Sequence, residues 1–167
     1  MNFTIRPERP ADMLIIRQLT DAAFKGADYS SGTEGAIIGA LRAADALSVS
    51  LVATIDEAVV GHVAFSAVTI DGADIGWFGL GPVSVRPDLQ AKGIGGALIR
   101  EGLKRLRSAG AKGCIVLGDP TYYRRFGFEH DPALTYDGAP PEYFMRLSLD
   151  GSKVSGAAAY HPAFSAP

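Results

Sequence analysis

The 167-residue sequence holds one cysteine, Cys114. A single thiol excludes a disulfide framework and a cysteine-based zinc site. Cys114 sits in the apolar stretch "GCIVLG" and reads as a small buried hydrophobe rather than a nucleophile. Long apolar runs are also missing. The longest, Ala58 to Ile70, is interrupted by His62, Ser66 and Thr69 and is too short to span a bilayer. The opening "MNFTIRPERP" has no apolar segment of the secretory kind, so the expected location is the cytoplasm, with no membrane partner. There is no excess of positive charge: the net charge is −2, which argues against a nucleic-acid partner. Internal repeats and low-complexity segments are absent too.

What is present is ordinary in total and uneven in placement. Apolar residues make up 47% and charged residues 20%, the balance of a soluble globular protein. The length suits a single domain, 1–167, whose core needs no staple. The charge is not evenly spread. From Arg86 to Lys112 there are seven basic and two acidic residues, a local +5, while the rest of the chain carries −7. A basic zone on an acidic chain suits a small polyanion better than a long nucleic acid.

Hydrophobic periodicity predicts the elements. Phe3 to Arg6 reads as a first strand. Asp12 to Phe24 reads as a helix with Ile15, Leu19 and Ala22/Ala23 on its apolar face. After the turn-rich "GADYSSG", Ser31 and Glu34 have capping-box spacing ahead of a second helix bearing Ile37, Ile38 and Leu41. Ser48 to Ile55 and Ala58 to Ile70 form a hairpin at Asp56-Glu57. Ile75 to Val85 is a third extended run, and Gly79, Gly81 and Pro82 within it predict a bulge or strand separation. Ile94 to Ala109 reads as a helix with Ile94, Ala97, Leu98, Leu106 and Ala109 inward. Gly113 to Leu117 is a short buried strand, and a brief helix stops at Gly127. Tyr143 to Leu149 alternates, with Tyr143, Met145, Leu147 and Leu149 on one face. Ala157 to Tyr160 adds a last extended piece. Hairpins around one βαβ-like crossover imply an α/β (α+β) fold, a mixed sheet with helices packed against it.

The sharpest local feature is "QAKGIGG", Gln90 to Gly96, at a strand-to-helix junction. The first amides of a helix lack partners within it and carry the positive end of its dipole. Glycines at positions 93, 95 and 96 let an anion approach those amides, as a pyrophosphate does. No Walker string is present, and the dinucleotide pattern G-x-G-x-x-G fails because Leu98 fills its last position.

Two spaced motifs resemble those of the GNAT superfamily of N-acetyltransferases. Gln90, Gly93 and Gly95 match Q-x-x-G-x-G, its acetyl-CoA pyrophosphate motif, and "YYRRFGF", Tyr122 to Phe128, matches its second signature. The element order is similar over about residues 3 to 149, with 150–167 as a C-terminal extension. "GDPTYYRRFGF" and the ending "VSGAAAYHPAF" resemble a branch of small bacterial acetyltransferases. The resemblance implies a GNAT-like, mostly antiparallel twisted sheet of about seven strands flanked by about four helices. It implies an acetyl-CoA co-substrate, no metal, and transfer to a primary amine by direct attack in a ternary complex. Backbone groups near Val83, Ser84 and Val85 would pair with the pantetheine. The amides of Gln90, Ala91, Lys92, Gly93, Ile94, Gly95 and Gly96 would hold the pyrophosphate, with Lys92 or Arg86 meeting a phosphate by charge. Tyr123 would be the general acid for the leaving thiolate, since a phenol with pKa about 10 is protonated at neutral pH.

The strand stretch "WFGLGPVSV" lacks the glutamate many members carry there. A base for the amine is therefore open among Glu34, Asp119, His130 and water, while His62 reads as structural. "GADYSSG" and the strand around Trp77 and Phe78 are the expected acceptor wall. The acceptor amine, small molecule or protein, stays open, as does oligomerisation. The alternatives are a non-catalytic acyl-CoA-binding sensor or scaffold and a nucleotide-binding α/β domain.

Overall fold

The computed structural model describes residues 2–26 and 32–165. Among these, nine strands form two sheets and four α-helices flank them. The strands are β1 (Thr4–Pro7), β2 (Val49–Ile55), β3 (Ala58–Ala67), β4 (Thr69–Ile70), β5 (Trp77–Val85), β6 (Gly113–Leu117), β7 (Leu134–Thr135), β8 (Phe144–Ser148) and β9 (Gly156–Ala159). The helices are α1 (Met13–Phe24), α2 (Glu34–Ala43), α3 (Ile94–Ser108) and α4 (Pro120–Tyr123). The main sheet runs β1-β2-β3-β5-β6-β8, and a small one runs β4-β9-β7. In the main sheet only β5 and β6 are parallel, and α3 is the crossover between them. This is the expected mixed, mostly antiparallel arrangement.

The turns follow local chemistry. Asp56 and Glu57 both take positive φ, 49° and 70°, as a tight hairpin requires. Gly127, at φ 97°, ends the short helical segment that follows α4.

α3 packs on one face of the main sheet through Ile94, Leu98, Ile99, Leu103 and Leu106, all buried. Full burial of such a side chain stabilises by about 1.5–3 kcal/mol. The helix comes close because Gly102 has no side chain: a Cβ there would stand 2.1 Å from Phe65 Cε1. Its C-terminal Ala109 is exposed rather than inward. On the opposite face, α1 and α2 contribute Ile16 and Ile38 against Val52.

Three further expected placements change. Ile15 is 38% exposed and Ile16, at 1%, is the core residue. Ile16, Leu19 and Thr20 share the inward stripe at i, i+3 and i+4, and Ile15 is one residue out of phase. Tyr143 is exposed in a 3-10 turn, and β8 starts at Phe144. Met145, Leu147 and Leu149 still face the α3 core, whereas Phe144 faces the Trp77 and Ile115 cluster. Ser31 lies outside the described residues. Glu34 is the first residue of α2 after an N-cap at Thr33, not the third residue of a capping box.

Candidate active site

The site begins where β5 leaves its neighbour. β5 pairs with β6 only from Trp77 to Gly79, yet it pairs with β3 as far as Val85. From Leu80 onward its β6-facing edge carries no ladder partner among the described residues, and the β3–β5 register shifts between Val63 and Phe65. This is the separation that Gly79, Gly81 and Pro82 predicted. Such an open edge offers backbone donors and acceptors to an extended ligand.

The edge opens into a cavity of about 670 Å³. Val83, Ser84 and Val85 line one side, and Gln90, Ala91, Gly93, Gly95 and Gly96 line the end beneath α3. Gly93 caps α3 in the left-handed region, φ 91°, and Ala91 is also left-handed at φ 62°. At Gly95 a Cβ would meet only ordinary contacts: Tyr122 Oη and Val85 Cγ2, each at 3.6 Å. The bare backbone there faces the cavity rather than a packed neighbour. Gln90 Nε2 donates to the Val85 carbonyl at 3.1 Å, so its side chain ties the turn to the end of β5.

Ile94 and Lys92 differ from the other predicted positions. Ile94 is 1% exposed with its side chain in the core, leaving only its amide for a ligand. Lys92 is exposed and off the lining, and Arg86 is held by Asp88 at 2.7 Å. Among the described residues, the cations that line the cavity are Arg100 and Arg125. Arg100 lies one helical turn beyond Gly96, and Arg125 lies inside "YYRRFGF". Helical spacing would have found the first. Arg100 sits over the Phe126 ring at 4.9 Å, and Arg125 over Tyr122 at 4.5 Å. Arg125 Nε also donates to the Tyr122 carbonyl at 2.9 Å. Burial raises the Tyr122 phenol above its ordinary range, against the pull of Arg125 and Arg100.

Tyr123 also lines the cavity. Its ring is seated over Gly118, where a Cβ would stand 2.3 Å from Cε2, and it meets Phe128 edge-on at 6.1 Å. Ala23 and Phe24, in the last turn of α1, complete the lining. Neither was anticipated, because only the packing of α1 against β5 brings them there.

The candidate bases fare differently. Asp119 accepts from the Thr121 amide at 2.9 Å and caps α4. His130 and Glu34 lie off the cavity. The described lining contains no carboxylate and no histidine. His62 is fully buried, with Nε2 2.8 Å from Ser50 Oγ, and Glu8 accepts from that hydroxyl. Burial pushes the His62 pKa down to about 4. Burial also pushes the Cys114 thiol up, which keeps it inert. Trp77 is fully buried and Phe78 packs on the main core, so neither walls the cavity. Residues 27–31 of "GADYSSG" lie outside the described part. Among the described residues no cluster of three His, Cys, Asp or Glu could hold a metal ion. Nor is any helix there long and apolar enough to cross a membrane.

A family model described as "Acetyltransferase (GNAT) domain" matches residues 4–130. The chain belongs to the GNAT acetyltransferase family. It is 36% identical to the uncharacterized N-acetyltransferase YhbS of Escherichia coli, over 96% of this chain and 97% of that protein. A GNAT family acetyltransferase of Brucella melitensis, crystallised with acetyl-CoA, is 54% identical with a TM-score of 0.88, covering 98% of each chain. The Escherichia coli YhbS structure with CoA superposes with a TM-score of 0.89 at 33% identity, over 99% of this chain and 93% of that one. As a GNAT acetyltransferase, the chain is an enzyme of the acyltransferase class.

Proposed function

We propose that this GNAT enzyme transfers an acetyl group from acetyl-CoA to a primary amine by direct attack in a ternary complex. The observation that carries this is the cavity joining the open β5 edge, the bare α3 N-terminus and Tyr123. The residues suit the ligand. The amides of Ile94, Gly95 and Gly96 lie in the first turn of α3, where none has an intrahelical acceptor. They would hold the pyrophosphate together with the turn from Gln90 to Gly93, and Arg100 and Arg125 add charge beside it. The backbone of Val83, Ser84 and Val85 would pair with the pantetheine amides, and an amide on this strand would polarise the thioester carbonyl.

In the transfer, the amine nitrogen bonds to the carbonyl carbon and the carbon–sulfur bond breaks. The sulfur leaves as a thiolate that takes a proton from the Tyr123 hydroxyl, and the amine gives up its own proton to water. The acceptor would enter beside Ala23 and Phe24. The test is thiol release from acetyl-CoA against a panel of amines and peptides. Tyr123→Phe should lower kcat by about 10²-fold, the usual contribution of a positioned acid, with acetyl-CoA affinity nearly unchanged. A full-rate Tyr123→Phe enzyme, under conditions where chemistry limits turnover, would remove Tyr123 from the mechanism. No thiol release with any amine would count against the reaction itself.

A further inference from the structure

The C-terminal segment lies beyond residues 4–130, the part matched by the family model. The fold nonetheless returns it to the point where β5 leaves β6. β9 is the middle strand of the small sheet, antiparallel to β4 and parallel to β7. Tyr160 follows it directly. The Tyr160 ring lies against Gly79, the last β5 residue paired with β6. A Cβ at Gly79 would stand 2.7 Å from Tyr160 Cε1 and 3.0 Å from Cδ1. Contact with this ring, and with Val68 Cγ1 at 3.0 Å, keeps position 79 bare. The ring is fixed in turn by Tyr136, edge-on at 5.2 Å, and by Phe164 at 4.9 Å. Tyr136 stacks on Phe144 of β8, so the brace is tied to the far edge of the main sheet. Burial raises the Tyr160 phenol well above its ordinary range, and Cys114, Tyr136 and Tyr123 raise it further.

We propose that Tyr160 is a positioning residue for acetyl transfer: its ring braces Gly79 and sets the point at which β5 parts from β6. The competing arrangement is plain from the register. Gly79 lies opposite Ile115, so one more rung would join Leu80 to Val116 and shorten the open edge. An open edge presents unpaired N–H and C=O groups, and one more rung would pair some of them. The brace on Gly79 opposes it and holds the thioester end of the strand at a constant position relative to Tyr123. The pyrophosphate end is independent of the brace, because α3 is anchored on β3 through Gly102 and Phe65. The inference rests on the acetyl-transfer reading above.

Amide hydrogen exchange separates the two ends. Wild-type, Tyr160→Phe, Tyr160→Ala and Tyr160→Leu proteins would be compared with and without acetyl-CoA, alongside kcat and KM for acetyl-CoA. Wild type and Tyr160→Phe should gain protection at residues 80–85 and 90–96, since Phe keeps the ring. Tyr160→Ala and Tyr160→Leu should keep protection at 90–96 and lose it at 80–85. Their kcat should fall by about tenfold or more at nearly constant KM, as expected for a misplaced reacting group. If Tyr160→Ala does not fold, Tyr160→Leu carries the test. Wild-type protection and kcat in Tyr160→Leu would overturn the brace. Equal loss at both stretches would also overturn it, because the role would then be global. Loss in Tyr160→Phe would show that the hydroxyl acts rather than the ring, which again overturns it. Absence of protection at 90–96 in the wild-type protein would refute the cofactor reading, and the brace with it.

Discussion

Replacing Gly95 by alanine should stabilise the empty protein and weaken it as an enzyme. Gly95 lies in the first turn of α3, and its φ is not positive. The nearest atoms to an added Cβ are Tyr122 Oη and Val85 Cγ2, at 3.6 Å, so no packed neighbour must move. The gain is that of Gly to Ala in a helix, about 0.5–1 kcal/mol. For a chain of this size that raises Tm by about 1–4 °C. The same methyl projects toward the cavity, where the proposed anion meets the amides. A tenfold loss of affinity corresponds to about 1.4 kcal/mol. At a concentration of about 100 times the wild-type Kd, ligand stabilisation would fall from about 2.7 to about 1.4 kcal/mol. Thermal melts with and without acetyl-CoA, checked by calorimetry, measure both signs at once. Gly93→Ala is the control. At φ 91° its strain should destabilise the empty protein by about 1–2 kcal/mol. A Gly95→Ala protein that keeps the full acetyl-CoA shift would refute the idea that the ligand sits against that backbone.

Other perturbations test other parts of the structure. Gly102→Ala gains helix propensity but drives a Cβ to 2.1 Å from the buried Phe65 ring. Overpacking should win, giving net destabilisation of about 1 kcal/mol, and a more stable variant in urea melts would contradict that packing. Arg125→Gln should weaken acetyl-CoA binding several-fold at low ionic strength, and the difference should shrink in high salt. A salt-independent difference would assign the effect to lost stacking on Tyr122. For His62 the folded pKa, about 4, lies below its unfolded value of 6.5. The unfolded chain therefore binds the extra proton as pH falls, and stability is lost from about pH 6.5 downward. The loss should be about 2 kcal/mol between pH 7 and pH 5. Urea melts of wild type and His62→Gln would show it, the variant lacking that part of the acid limb.

Periodicity and turn chemistry determined much of this protein unaided. The β2–β3 hairpin was legible because Asp56-Glu57 interrupts two β-rich runs. The glycine-rich start of α3 was legible because "QAKGIGG" stands at a strand-to-helix junction. Gly79, Gly81 and Pro82 announced the separation of β5 because they weaken a ladder locally. Tyr123, drawn from a motif, lines the cavity, whereas Asp119, weighed as a base, caps α4. What only the tertiary structure decided depends on contacts distant in sequence. Ile16 rather than Ile15 faces inward, because the phase of α1 is set by what it packs against. Arg100 and Arg125, not Lys92 and Arg86, line the cavity, because Asp88 holds Arg86 and the path of the turn leaves Lys92 outside. Trp77 is core because Gly113 makes room for its ring: a Cβ there would lie 2.4 Å from Cζ2. Tyr160 reaches Gly79 across 81 residues of chain only because β9 joins the small sheet. Local sequence specifies backbone conformation and exposed amides. Which side chains share a cavity is set by how helices and strands pack, and that is a property of the whole fold.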